Sequence, residues 1–364
     1  MLTEPTRPVE TEAPPVVSPP YWRIRLTLAR RGLSKTWGLF RQNTVGMVGL
    51  AIIVLFLVGA VAHPILMATV WDPAVYHPVY GYDAVVIEKL VVEEVTDDLT
   101  EIEVTEARLR TDPFVQVGDT LRMPQQPAPP TLSGDHPHLL GTDPQGRDIL
   151  SQLLYSIRAA FILGALAAVM SVVVATTVGS VAAYFGGRTD SVLMRFSDLI
   201  LLLPILPVLI VLGAYFEMNM PVLATTIGLF EGFGATAIVL KSQALQVSVK
   251  PYIDAARVAG GGHAHIIFRH LVPNVMPLSL LYMMFGVAGA IALESVLSFL
   301  GLLNIEMSWG VMLNVAQRQG YLLSGTRYWW LLFPAGLAVT FLAFAFFLVG
   351  RGMDEVINPR LRSR

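Results

Sequence analysis

Four ionisable side chains stand inside long apolar runs: Arg195, Asp198, Glu231 and Glu294. A charge at the centre of a bilayer costs about 2.5–3.5 kcal/mol on insertion scales, so such residues need a partner or water. Glu231 lies within the run 222–244, among several glycines, and is expected to face the bundle interior or a water-filled path rather than lipid. A pathway role and a hydrogen-bonded packing role both stay open for it. Asp198 follows Arg195 by three residues, a spacing at which helical neighbours can pair, and a structural ion pair is expected there. The histidines of His136-Pro-His138 and His263-Ala-His265 are metal ligands by type. Neither pair has a carboxylate cluster at ligand spacing, and His263 and His265 fall on different faces of a helix, so no metal site is expected. The chain contains no cysteine, which excludes disulfides and thiolate sites. It has no phosphate-binding glycine loop, no His-Glu-x-x-His and no nucleophile elbow, so hydrolysis by this chain is not expected and no cofactor is assigned to it.

The elements that hold these residues are apolar. Charged residues make up 14% of the sequence, against about 25% in a soluble domain, which places the chain in a membrane. A net charge of −2 gives no reason to expect nucleic acid. Six spans are expected, near 45–66, 159–184, 192–215, 222–244, 275–297 and 331–349, each long enough for about 30 Å of hydrocarbon. His63-Pro64 marks the end of the first, and Pro204 and Pro207 kink the third. Small residues line the second: Gly164, Ala167, Ala168, Ser171, Ala175 and Gly179. Lipid gives helices no hydrophobic drive to associate, so close backbone contact through small residues matters there.

Five regions follow. Residues 1–44 form a disordered, then basic, arm; the first apolar run begins only near Val45, so no cleaved leader is expected. Residues 45–66 are the first span. Residues 67–140 are an acidic, β-rich insert with strand-like segments 84–87, 90–95, 102–104 and 114–121, closed by the Pro124–Pro130 linker. Residues 141–350 hold the other five spans, and 351–364 form a basic tail. Bases at both ends and in the short loops at 188–195 and 241–269 put both termini in the cytoplasm and the insert outside. A short helix is expected at 311–317 in the last outer segment.

Two motifs carry the rest. Leu139-Leu-Gly-Thr-Asp-Pro-Gln-Gly-Arg-Asp148 is a Gly/Pro loop capped into an amphipathic helix at the outer interface. Residues 250–274 form a polar hinge between two apolar runs. Pro251 suits a first helical turn, and Asp254 complements the helix dipole there. Ala255, Ala256 and Ala259 keep that helix thin, and Gly260-Gly-Gly262 ends it. A second short helix, 263–271, is expected to stop near Pro273. Such a thin, projecting helix suits docking in another protein's groove, and it also fits an ordinary connection between spans.

Asp254-Ala255-Ala256, Gly260 and His270-Leu-Val-Pro273-Asn274 resemble the EAA loop of ABC importer permeases, with Asp254 where that family usually has Glu. Gly141-Thr142-Asp143, then Gly146-Arg147-Asp148, resembles a motif of the peptide-type group of those permeases, which handles dipeptides, oligopeptides and nickel. Glu294-Ser-Val-Leu-Ser-Phe-Leu-Gly-Leu302 resembles the end of its fifth span. The resemblance covers 45–66 and 139–362. It implies an all-α, six-span type I (MetI-like) permease with a small β-rich extracytoplasmic insert, in the plasma membrane. It also implies partners: a second homologous permease subunit forming a heterodimer, two cytoplasmic ATPase subunits that bind ATP and Mg, and an extracytoplasmic solute-binding protein. The EAA residues are then the ATPase contact, and residues 141–148 are packing at the outer rim. An ion-coupled secondary transporter is the other reading, but no internal repeat supports it. A membrane scaffold displaying the insert leaves the hinge unexplained.

Overall fold

The computed structural model describes residues 34, 36–83, 86–90, 120–124, 126–132 and 135–357, without side chains for the stretches 86–90 and 120–124. The architecture is helical, built around one long central rod. Helix α1 (Thr44–Thr69) opens with Asn43 as cap, its side chain accepting from the Gly46 N–H at 2.7 Å. It runs through Pro64 and does not end there as the sequence suggested. Proline removes the N–H that would serve the Ala60 carbonyl. Arg158 Nε donates to that carbonyl instead, at 3.4 Å, and the helix continues for five more residues.

Strands β1 (Val86–Leu90) and β2 (Thr120–Pro124) pair antiparallel, with Val86 opposite Pro124 and Leu90 opposite Thr120. The expected strand segments at 102–104 and 114–119 lie outside the described residues, as do 84–85 and 91–95.

Helix α2 (Ile149–Phe185) spans 37 residues without a break. The amphipathic stretch 149–155 and the expected second span are thus one element, because Asp148 caps it and no proline interrupts it before Gly186, which takes positive φ. All six small residues named above are buried in it. They let backbones meet: a β-carbon on Gly179 would stand 2.7 Å from the Lys241 amide nitrogen, and Gly164 faces Val287. On the partner side, Gly228 and Gly232 lie against the α2 carbonyls of Ala167 and Ser171.

Helices α3 (Gly187–Leu202) and α4 (Ile205–Tyr215) bend by 81° at Pro204. Helices α5 (Met220–Phe233) and α6 (Ala235–Ser248) bend by 46° at Gly234. After a short helix, α7 (Pro251–Val258), comes α8 (His263–Phe299). Pro273 does not stop α8. Residues Ile267–Leu271 form a π turn, with the Val272 N–H reaching the Ile267 carbonyl, and this wider turn relieves the clash a proline makes with the preceding turn. The Asn274 side-chain amide donates to the His270 carbonyl at 2.7 Å in the same stretch. Helix α9 (Trp309–Arg318) contains the expected short helix, and α10 (Trp329–Ile357) returns against α1. Gly49 and Gly352 make that crossing close, with a β-carbon on Gly352 only 2.7 Å from Gly46 Cα, and the Asn43 amide donates to the Glu355 carboxylate. Among the described residues four helices are long and apolar enough to cross a membrane, or up to six if each bent pair is one span.

Candidate functional site: a cleft at the helix breaks and a projecting helix

The two broken spans and α8 enclose a cleft of about 350 Å³, lined among others by Leu203, Ile205, Glu231, Gly234, Tyr282 and Phe285. Both breaks contribute to its wall. Glu231 is half-buried in it, and among the described residues no group donates a hydrogen bond to its carboxylate or pairs with it. The carboxylate rests on bare backbone: a β-carbon on Gly286 or on Gly289 would stand 3.0 Å from one of its oxygens. Glu294 is placed otherwise. It is 1% exposed, accepts from Ser298 Oγ at 2.7 Å and from Ser295 Oγ at 3.3 Å, and is a satisfied packing residue. Arg195 and Asp198 are both exposed and do not pair. The ion pair in this region runs instead from Asp190 on α3 to Lys241 on α6, at 2.5 Å, because those side chains face each other across a helix contact while Arg195 and Asp198 point away from it.

At the Phe185 end of α2, helix α7 projects from the bundle. Ile253 is its one buried side chain, set among Val247, Ile266 and Leu271, while Tyr184 packs alongside. Arg257 lies 5.1 Å from the centre of the Tyr184 ring and 3.1 Å from Asp254. The helix ends in a Schellman turn. Gly260 has φ +82°, its N–H reaches the Arg257 carbonyl, and the Gly261 N–H reaches the Ala256 carbonyl. Nothing stands within 4 Å of a β-carbon on Gly260. Asp254, Ala255, Val258 and Ala259 are exposed, Val258 by 90%. His270 is half-buried, Pro273 sits at the second residue after the π turn, and Asn274 is exposed.

At the other end of α2 the residues of the second motif are closed on one another. Asp143 Oδ1 accepts from the N–H groups of Gln145 and Arg147, and Oδ2 from Arg147 Nε at 2.7 Å and Gln152 Nε2 at 2.9 Å. Thr142 Oγ1 accepts from the Ala128 N–H. Gly141 and Gly146 take positive φ. Asp148 caps α2 through Ser151 N–H, and its other oxygen lies 2.8 Å from His138 Nδ1. His138 Nε2 is 3.0 Å from Asp83 Oδ2. Burial by itself would lower the His138 pKa, but the hydrogen bonds and charges of Asp148 and Asp83 outweigh it and raise it above 6.5. Burial, then the same two carboxylates, pushes Tyr76 up to about 12. The carboxylates around His138 come from 10 and 55 residues away, so sequence spacing could not reveal them. Among the described residues no group of His, Asp and Glu is arranged to hold a metal.

Several apolar rods of membrane-crossing length, joined through small residues, define a multi-pass membrane protein. Residues 175–363 match the binding-protein-dependent transport system inner membrane components, and the chain belongs to that family. It is 34% identical over 238 residues to the oligopeptide transport system permease protein OppC of Haemophilus influenzae, covering 65% of this chain and 74% of that one. It is 32% identical over 255 residues to the dipeptide transport system permease protein DppC of Bacillus subtilis, covering 69% and 77%. Against OppC of Escherichia coli K12 the identity is 36% over 237 residues, covering 65% and 76%.

Proposed function

We propose that this chain is one of two membrane-spanning permease subunits of an ATP-driven importer of peptides, and that α7 with its glycine turn docks on a cytoplasmic ATPase. The peptide assignment rests on the names of the oligopeptide and dipeptide relatives. The observation that carries the docking is α7 itself. Ile253, with Ala256 beside it, ties it to the bundle, and Ala255, Tyr252 and Val258 are left exposed. Exposed apolar surface at a helix tip is what a partner's groove covers. The contact is assigned to Asp254, Ala255, Ala256 and Gly260, with His270, Pro273 and Asn274 at its root. ATP and Mg then bind the ATPase subunits, and this chain is non-catalytic.

In this reading each bent helix pair counts as one span, giving six. Both termini are cytoplasmic, and the β-paired insert faces outward with the 141–148 loop as its packed base. The arm 1–44, the first span at 45–66, the insert 67–140, the core 141–350 and the tail 351–364 divide the chain accordingly. A second, different permease subunit completes the pathway, and a binding protein delivers solute. Nucleotide binding closes the ATPase dimer, α7 moves with it, and the rods transmit the movement as rocking of one bundle against the other.

Because the chain lacks cysteine, Val258→Cys gives a unique thiol. In the assembled transporter it should cross-link to the ATPase subunit, and Gly260→Trp should abolish ATP-dependent uptake. A thiol that reacts only with water-soluble reagent in the full complex, with no cross-link, would refute the docking.

A further inference from the structure

We propose that the Glu231 carboxylate is the point at which the cationic amino group of the solute is held as it crosses the membrane, an inference that rests on reading the chain as a peptide permease subunit. Glu231 is the twelfth residue of the 29 in Met220–Ser248, so it stands near the middle of the span. A charge at that depth needs a counter-charge or water, and among the described residues there is no counter-charge: no Lys or Arg lines the cleft. Irregular backbone at membrane depth is tolerated where it lines a water-filled cavity. Here two breaks, at Pro204 and at Gly234, line the same cleft as the acid. Apart from Thr236 the rest of the wall is apolar or aromatic, with Phe230, Tyr282 and Phe285, and ring faces also attract ammonium groups. Gly286 and Gly289 keep the floor clear, since a side chain at either position would press on the carboxylate. A cleft of about 350 Å³ accepts the end of a small peptide. The contrast with Glu294 is internal to the molecule: that acid is shut in and served by two serines, whereas Glu231 is left with room and no partner.

The test uses the complete transporter, with its binding protein and ATP, in proteoliposomes. Uptake of tri-alanine is compared with uptake of its desamino counterpart, propionyl-dialanine. The binding protein's own preference is the same for wild type and variant, so a change in the uptake ratio reports this residue. In Glu231→Gln the preference for the free amine should fall by about tenfold or more, the loss expected for a charged hydrogen bond, with ATP hydrolysis kept. Where the desamino form is too slow to follow, tri-alanine uptake decides: Gln should lower it about tenfold and Asp should retain most of it. An unchanged ratio, equal uptake by Gln and wild type, or dissociation of the two permease subunits by the Gln variant each overturns the proposal; the last would put a base of the second subunit opposite Glu231. Absence of ATP-dependent tri-alanine uptake in the wild type would instead overturn the peptide-importer reading itself.

Discussion

The two ends of helix α2, about 55 Å apart at 1.5 Å per residue, are finished in opposite ways. At its start, polar side chains are buried and bonded to one another: His138, Thr142, Ser151 and Gln152 are 0% exposed, and Asp148 2%. At its finish, α7 is held by one buried side chain, Ile253, with Ala256 and the Arg257–Tyr184 contact beside it, and apolar Val258 is left in the open. A buried polar network whose members are mostly bonded to one another favours one geometry, because movement strands polar groups; Gln152 Oε1 is the exception, buried without a hydrogen-bond partner among the described residues. An exposed apolar tip does the reverse, leaving its final surroundings to a partner. Stiffness is therefore concentrated at the insert end and adaptability at the α7 end.

The largest effect expected from this contrast is that of Asp148→Ala. It removes the cap of α2 and one of two carboxylates facing a buried histidine, and should cost the isolated subunit about 3–5 kcal/mol, read as a drop in thermal unfolding temperature in detergent. Gly260→Val forces a side chain into left-handed backbone and should cost about 1–2 kcal/mol in the isolated subunit, while ATPase association is lost. If Gly260→Val unfolded the bundle as deeply as Asp148→Ala, the contrast would collapse.

The pH profile sharpens it further. The pKa of His138 is raised on folding, so its contribution is fully present below 6.5 and is lost as pH rises through the higher folded value. Wild type should hold an advantage over His138→Gln at acid pH and lose it on the alkaline side. A variant at the α7 end, Val258→Ala, should not alter that profile. The smallest effect belongs to Arg158→Met, which strips the Ala60 carbonyl of its donor, for about 0.5–1 kcal/mol by the same unfolding measurement.

Much of the helical frame was legible in the sequence because apolar length and small-residue spacing are local signals. The stripe from Gly164 to Gly179 and the capped loop ending at Gly260 fall where the residue types require. Prolines misled in two places. Pro64 and Pro273 lie within continuous helices because compensation comes from elsewhere: from Arg158, distant in sequence, and from a π turn whose extra width no residue type announces. The expected Arg195–Asp198 pair rested on spacing alone, which says that two side chains can meet and not that they face the same neighbour. Glu231 could be flagged as an intramembrane acid, but its lack of a partner and the two glycines beneath it needed coordinates. The histidine network was beyond reach, since its carboxylates come from separate segments. Ile253, the anchor of α7, was missed although it is an aliphatic residue standing beside Asp254 in the first turn of that short helix, which was the available clue.

The glycine-lined crossing of the first and last helices sets a schedule for making the protein. Asn43 meets Glu355 across 312 positions of chain. At about 5–20 residues per second, a ribosome needs roughly 15–60 seconds to deliver that distance. For that interval the newly inserted helix α1 waits in lipid with its mating groove at Gly46 and Gly49 unfilled, so this crossing cannot close until the chain has been made through Glu355.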